Sequence, residues 1–161
     1  MRTTHESDGI DAQVARERIA ATLQSTPYTR HLGVLLVNHD AADGVVFHLP
    51  FDARLIGNVT LPAIHGGVIA AFMEAAALAA TYARIDAGLL AKLVDFSIDY
   101  LSSAGPIDLY AQCEMHRVGK RIAAVGVRCW QRNMDAPIAL GRAHVYVAPS
   151  ASDAAVMEEH D

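Results

Sequence analysis

Charge is what this sequence has least of. Asp, Glu, Lys and Arg make up 19% of its 161 residues, while hydrophobic residues reach 52%. The usual charged share is ~25%, so a monomer of this size should carry more polar skin. Part of the surface is therefore expected to be covered by another subunit. Disorder, which needs low hydrophobicity and high net charge, is excluded. Basic residues are the minority, 13 against 18 acidic ones, for a net charge of −5. General nucleic-acid binding needs a basic footprint and is not expected. No apolar run reaches the ~18 residues of a membrane span, and the longest small and apolar stretch, 66–80, is interrupted by Glu74. Residues 1–11 are polar and acidic, without the layout of a signal peptide. The only two cysteines, Cys113 and Cys129, form no CxxC pair. They read as buried thiols of a chain in a reducing cytoplasm. Eight histidines are present, but none shows a metal-ligand spacing, so no metal is expected. His116 and His144 read as ordinary strand residues.

What is present is one domain's worth of alternating pattern. Residues 1–10 are expected to be disordered, residues 11–148 to form a single domain, and residues 149–161 to be a disordered acidic tail. Residues 11–24 read as a short helix with Ala15, Ile19 and Leu23 on one stripe, ended by Pro27. Residues 34–38 and 45–49 read as a hairpin around turn residues 40–44. A loop over 50–62 leads to the main helix, from Gly66 to about Asp86, with Gly88 as its stop. From Lys92 the period changes to two. Val94, Phe96, Ile98 and Tyr100 alternate with Asp95, Ser97, Asp99 and Leu101, and strands follow over 107–118, 121–132 and 137–148. This predicts a hairpin, a long helix and a four-stranded meander. The helix is apolar nearly all round, and a single sheet would cover only about half of it. A second copy is the simplest cover for the rest.

The chemistry concentrates between Asn58 and Glu74. His65-Gly66-Gly67 opens the helix, where glycine lets bare backbone approach a ligand. The first N–H groups of a helix are unpartnered and lie at its positive end, a site suited to an oxyanion. Glu74 is the one acid on the apolar stretch. Burial raises such a carboxyl's pKa and equips it as general base or nucleophile. Seven residues separate Gly67 from Glu74 (74 − 67), or roughly 10.5 Å of helix rise. One carbonyl carbon cannot sit within ~3 Å of both on the same helix. Two antiparallel helices in a dimer would place one chain's Gly67 beside its partner's Glu74.

The His-Gly-Gly motif, with its acid nine residues after the His (74 − 65), resembles that of the hotdog-fold acyl-CoA thioesterases of the phenylacetate-pathway and 4-hydroxybenzoyl-CoA types. Residues 94–101 also resemble that family, and the similarity runs over about 32–148. It implies an α+β hotdog fold, an antiparallel sheet wrapped around one long central helix, with a short N-terminal helix here. It further implies hydrolysis of an acyl-CoA to a carboxylic acid and CoA by a cytoplasmic homodimer or homotetramer, with no cofactor and no membrane partner. By resemblance, Gly67 would polarise the thioester oxygen and Gly66 would support the turn. Glu74 would activate water or attack, His65 would hold the loop or contact the thioester, and Asn58 would orient water or substrate. Asn58 lies seven residues before His65 (65 − 58), where about six is the family's spacing. Relatives often have Asp where Glu74 stands.

Thr81, two turns past Glu74, is a candidate water-positioning hydroxyl. Arg117, Lys120 and Arg121 form a basic turn suited to CoA phosphates, although a solvated turn is the plain alternative. Asp95 and Asp99 read as structural. Phe72, Met73 and Phe96 are expected to line the acyl pocket at the interface. Two rival functions stand beside the thioesterase: a non-catalytic acyl-CoA-binding module, and a hotdog hydratase or dehydratase.

Overall fold

The computed structural model describes residues 10–40 and 44–150. The expected disorder of the two termini falls almost wholly outside them. Helix α1 (Ala12–Ser25) opens on Asp11, whose carboxylate accepts from the Gln13 and Val14 N–H groups, an N-cap that satisfies otherwise orphaned donors. Ala15, Ile19 and Leu23 are its buried stripe, as the sequence pattern predicted. Pro27 does more than end α1. It occupies the first turn of a second helix, α2 (Pro27–Leu32), where its missing N–H costs nothing. Gly33 closes α2 with a positive φ of 74°.

Strands β1 (Leu35–Asp40) and β2 (Gly44–Leu49) form the expected antiparallel hairpin. The following segment is more ordered than a plain loop. A 3-10 turn (Ala53–Leu55) leads into a small hairpin of β3 (Ile56–Asn58) and β4 (Ala63–Ile64), which delivers the chain to the long helix α3 (Gly66–Tyr82). That helix stops four residues before Asp86. The Arg84 and Ile85 N–H groups fold back onto the Thr81 carbonyl, and Arg18 of α1 donates to the Ile85 carbonyl. A contact from another element thus holds the chain just past the helix, and Gly88, with a φ of 84°, serves the next turn.

Strands β5 (Leu89–Tyr100), β6 (Leu109–Val118), β7 (Ile122–Trp130) and β8 (Ala139–Pro149) complete a six-stranded sheet. All its pairings are antiparallel, in the order β1-β2-β6-β7-β8-β5. This corrects the expected four-stranded meander: β6, β7 and β8 follow one another, but β5 crosses to the far side of β8. The alternation in β5 also breaks. A bulge between Leu93 and Asp95 shifts the register, so Leu93 and Phe96 face the core side and Val94 is exposed.

The sheet curls around α3, which packs on β2, β5, β6, β7 and β8 and is covered on another side by α1. This is the hotdog arrangement. The core joins Phe72, Met73, Ala76 and Ala80 of α3 to Phe47, Leu49, Leu109, Val125 and Val145 of the sheet. Phe72 and Met73 have no exposed surface. They belong to the chain's own core and do not line an interface pocket. Cys113 and Cys129 are free and buried in the same layer. Burial pushes the Cys129 thiol up to about 12, and burial with the neighbouring Cys129 sulfur raises Cys113 further still. No helix of the described residues is long and apolar enough to cross a membrane.

Candidate active site

The β3–β4 hairpin and the first turn of α3 build one end of the site. His65 is the N-cap of α3, and its Nδ1 accepts from the Gly67 N–H at 2.9 Å. The His65 N–H donates to the Leu55 carbonyl at 2.9 Å, and the Ile64 N–H to the Ala104 carbonyl, which fixes the motif in the frame of the fold. The cap has a chemical consequence. An imidazole that accepts at Nδ1 carries its proton on Nε2. The Gly67 N–H assigned to a thioester oxygen is therefore already engaged in the unliganded chain, and a substrate oxygen must share it with the ring or displace the ring.

Asn58 ends β3, and its Oδ1 accepts from the Thr60 and Leu61 N–H groups at 3.0 and 3.1 Å. That is an Asx-type turn, so its oxygen is used locally and its amide nitrogen is the group left to face a ligand. The exposed tip of this hairpin carries Val59 and Leu61.

Glu74 lies farther along α3, half-buried. Among the described residues its carboxylate has no hydrogen-bond or ion-pair partner, and burial raises its carboxyl above the ordinary range. Seven residues carry the helix through almost two full turns, so Gly67 and Glu74 share a face ~10.5 Å apart. Ala71 and Leu78 lie on the same face, which is only partly covered within the chain.

Four expected site residues stand elsewhere. Thr81 is fully buried, and its Oγ1 donates to the Ala77 carbonyl at 2.9 Å. Its hydroxyl is spent inside the helix and is not aimed at a reacting water. Arg117, Lys120 and Arg121 are exposed around the β6–β7 turn, where Lys120 borders a groove with Arg84 and Asp86 just beyond the C-terminal end of α3. That end lies ~25 Å of helix from Gly66, so one chain does not bring the basic turn to its own glycines. Asp95 pairs with His144, Oδ2 to Nδ1 at 3.1 Å. Among the described residues no group of three or more His, Cys, Asp or Glu side chains could hold a metal ion.

A model of the thioesterase superfamily matches residues 61–138, from the β3–β4 turn to the residue before β8. Among solved structures, a protein from Chromobacterium violaceum is 35% identical, with 84% of this chain and 93% of that one covered and a TM-score of 0.64. The chain is similar to the thioesterase superfamily over residues 61–138. A thioesterase from Haemophilus influenzae shares the fold at 18% identity, with 81% and 88% covered and a TM-score of 0.72. So does the E. coli PaaI protein from the phenylacetic acid degradation operon, at 18% identity, 86% and 96% covered and a TM-score of 0.74. No curated protein matches the sequence significantly.

Two further residues shape the motif. A Cβ on Gly57 would lie 2.6 Å from the His65 Cβ, so only glycine lets β3 pass beneath the capping ring. Tyr100, at the end of β5, donates its hydroxyl to the Gly66 carbonyl at 2.6 Å. Partial burial and the charge of Glu74 hold that hydroxyl protonated above the ordinary tyrosine range. Gly57 reads as half of a Gly-Asn turn in the sequence, and Tyr100 as one more member of an alternating strand. For Tyr100 the signal was its place in the segment 94–101.

Proposed function

We propose that the protein hydrolyses acyl-CoA thioesters to a carboxylic acid and CoA in the cytoplasm, using composite sites between two copies of the chain. The observation that carries this reading is the shared face of α3, with a backbone donor at Gly67 and an unpaired, half-buried acid at Glu74. The two are too far apart to serve one carbonyl from the same helix. Antiparallel pairing of two such faces joins one chain's Gly67 to the partner's Glu74.

Two other features support pairing. The twelve-residue β5 is an edge of the sheet among the described strands, and a long free edge invites a second chain. Leu90, Val94, Tyr100 and Leu101 on or beside it are exposed. The same pairing would carry each chain's basic turn toward the partner's Gly66-Gly67, where Arg117, Lys120 and Arg121 could meet the phosphates of CoA. A homodimer satisfies this geometry, and a homotetramer would contain two such dimers.

In the reaction, the thioester oxygen takes the Gly67 N–H while Gly66 keeps the backbone open beside it. Glu74 of the partner removes a proton from water. The water oxygen bonds to the thioester carbon, charge collects on the carbonyl oxygen, and the C–S bond breaks. The sulfur leaves as CoA with the proton returned from Glu74. His65 sets the first turn of the helix, and the amide nitrogen of Asn58 orients water or substrate. The scheme draws its polarisation and its base from the chain itself and calls on no metal or cofactor.

Thiol release from aryl, medium-chain and branched acyl-CoAs tests the proposal. Wild type should turn over at least one class, with Glu74→Ala and Glu74→Gln slowed by ~100-fold or more, the scale of a lost general base. Equal rates for all three would reject it. The engaged Gly67 N–H favours one alternative, a non-catalytic acyl-CoA-binding module. Tight binding of CoA esters with no thiol released would establish that instead.

A further inference from the structure

The peptide unit between Gly66 and Gly67 is gripped at both of its polar atoms. Its carbonyl, on Gly66, accepts from the Tyr100 hydroxyl at 2.6 Å, short for an O–H···O bond, whose usual length is ~2.7–2.8 Å. Its N–H, on Gly67, donates to His65 Nδ1 at 2.9 Å. The Tyr100 ring also lies flush against Gly66, since a Cβ there would meet Cζ and Oη at 3.4 Å. The tyrosine reaches this position because β5 runs antiparallel to α3 and ends beside the helix start.

We infer that Tyr100 is a positioning residue that orients and polarises the Gly66–Gly67 peptide, strengthening the Gly67 N–H as a donor to the thioester oxygen. The physical basis is the conjugation of the amide. A hydrogen bond to its oxygen draws electron density from nitrogen, so the N–H on the same unit becomes more acidic, and hydrogen bonds in a chain reinforce one another. As negative charge grows on the substrate oxygen, the N–H···O hydrogen bond shortens and the Tyr100 hydrogen bond strengthens with it. The gain is therefore larger in the transition state than in the ground state, which is the condition for raising kcat. A second effect is steric and directional: the bond fixes the rotation of the peptide about the helix axis, and with it the aim of the N–H. The inference rests on the thioesterase reading above and deepens it by assigning a residue that never touches substrate.

Two measurements on full-length Tyr100→Phe test it. In amide NMR spectra with glycine-selective labelling, the Gly67 proton resonance should move upfield by more than those of glycines distant from the ring, such as Gly119 and Gly126. In thiol release, kcat should fall by about 2–8-fold with KM little changed. That range follows from a ~10–30% change in donor strength acting on a contact whose complete removal costs ~100–1,000-fold. Tyr100→3-fluorotyrosine, with a more acidic hydroxyl, should move the Gly67 resonance the other way. An unmoved Gly67 resonance in folded Tyr100→Phe overturns the inference, as does an unchanged kcat or a rise in KM alone. A Tyr100→Phe protein too unfolded to assay leaves the fluorotyrosine shift to decide. Absence of thiol release from the wild type would defeat the thioesterase reading alone, because the NMR shifts still decide the coupling through the peptide.

Discussion

Glu74 is the residue on which stability and chemistry pull in opposite directions. Burial raises its carboxyl, so the folded chain holds the proton more tightly than the unfolded one. Between the ordinary carboxylate value and the raised one, the folded state binds more protons. Stability therefore falls as pH rises through that window and stays lower above it. Activity has the opposite sign, since the base must be ionised, and kcat/KM should fall on the acid side with an apparent pKa above the ordinary carboxylate range. Glu74→Gln should then melt slightly above the wild type at neutral pH while losing thiol release. A melt and a rate on the same preparation check this, and a lower Tm would remove the burial argument. At Gly67 an added Cβ would lie 3.0 Å from His65 Nδ1. Gly67→Ala should displace the cap, with a cost near that of losing an N-cap, ~1 kcal/mol, read by denaturant unfolding. These two residues were legible in the sequence because a glycine pair and a lone acid depart from an apolar background. The engagement of the Gly67 N–H was not, because it depends on the rotamer of His65, which no spacing specifies.

At the scale of the elements, β8 meets both β5 and the helix closely at Gly141. A Cβ on Gly141 would stand 2.8 Å from Phe96 Cζ and 2.9 Å from Met73 Cε. The methionine tip can yield, but the ring, trapped between β5 and α3, yields less. Gly141→Ala should cost ~1–3 kcal/mol, the usual penalty of overpacking, seen as a lower denaturation midpoint with an unchanged slope. A neutral result would mean that Phe96 is free to turn. Local pattern gave the helices and strands, because 3.6 and 2 residue periods are written in neighbouring positions. It misplaced what depends on distant partners. The segment just past α3 is held by Arg18 of α1, the place of β5 beside β8 is a crossover that hydropathy does not encode, and the bulge at Val94 is one inserted residue. Pro27 punctuates the chain under either reading, and only the contacts of Thr29 and Leu32 with the core make it a beginning as well as an end.

At the scale of the molecule, the proposal requires two chains. Sedimentation should find at least a dimer. Mixing inactive Gly67→Pro with inactive Glu74→Ala should restore part of the activity, since one of a heterodimer's two composite sites would be intact. Confirmed heterodimers without recovery would show that the sites are not shared. Charge reversal at the basic turn, Lys120→Glu with Arg121→Glu, should raise KM for CoA esters with little change for pantetheine thioesters, which lack the nucleotide phosphates. Equal shifts for both would remove the turn from the site. The shortage of charge first noted in the composition has a location in this picture, in the half-covered stripe of α3 and the free edge of β5. The buried cysteines, finally, have a practical side. The product of the proposed reaction is itself a thiol, and the chain's only two sulfhydryls are sealed in the core with their ionisation suppressed. A chromogenic disulfide reagent added to the folded protein should therefore meet a silent background, and any colour that develops reports turnover or unfolding.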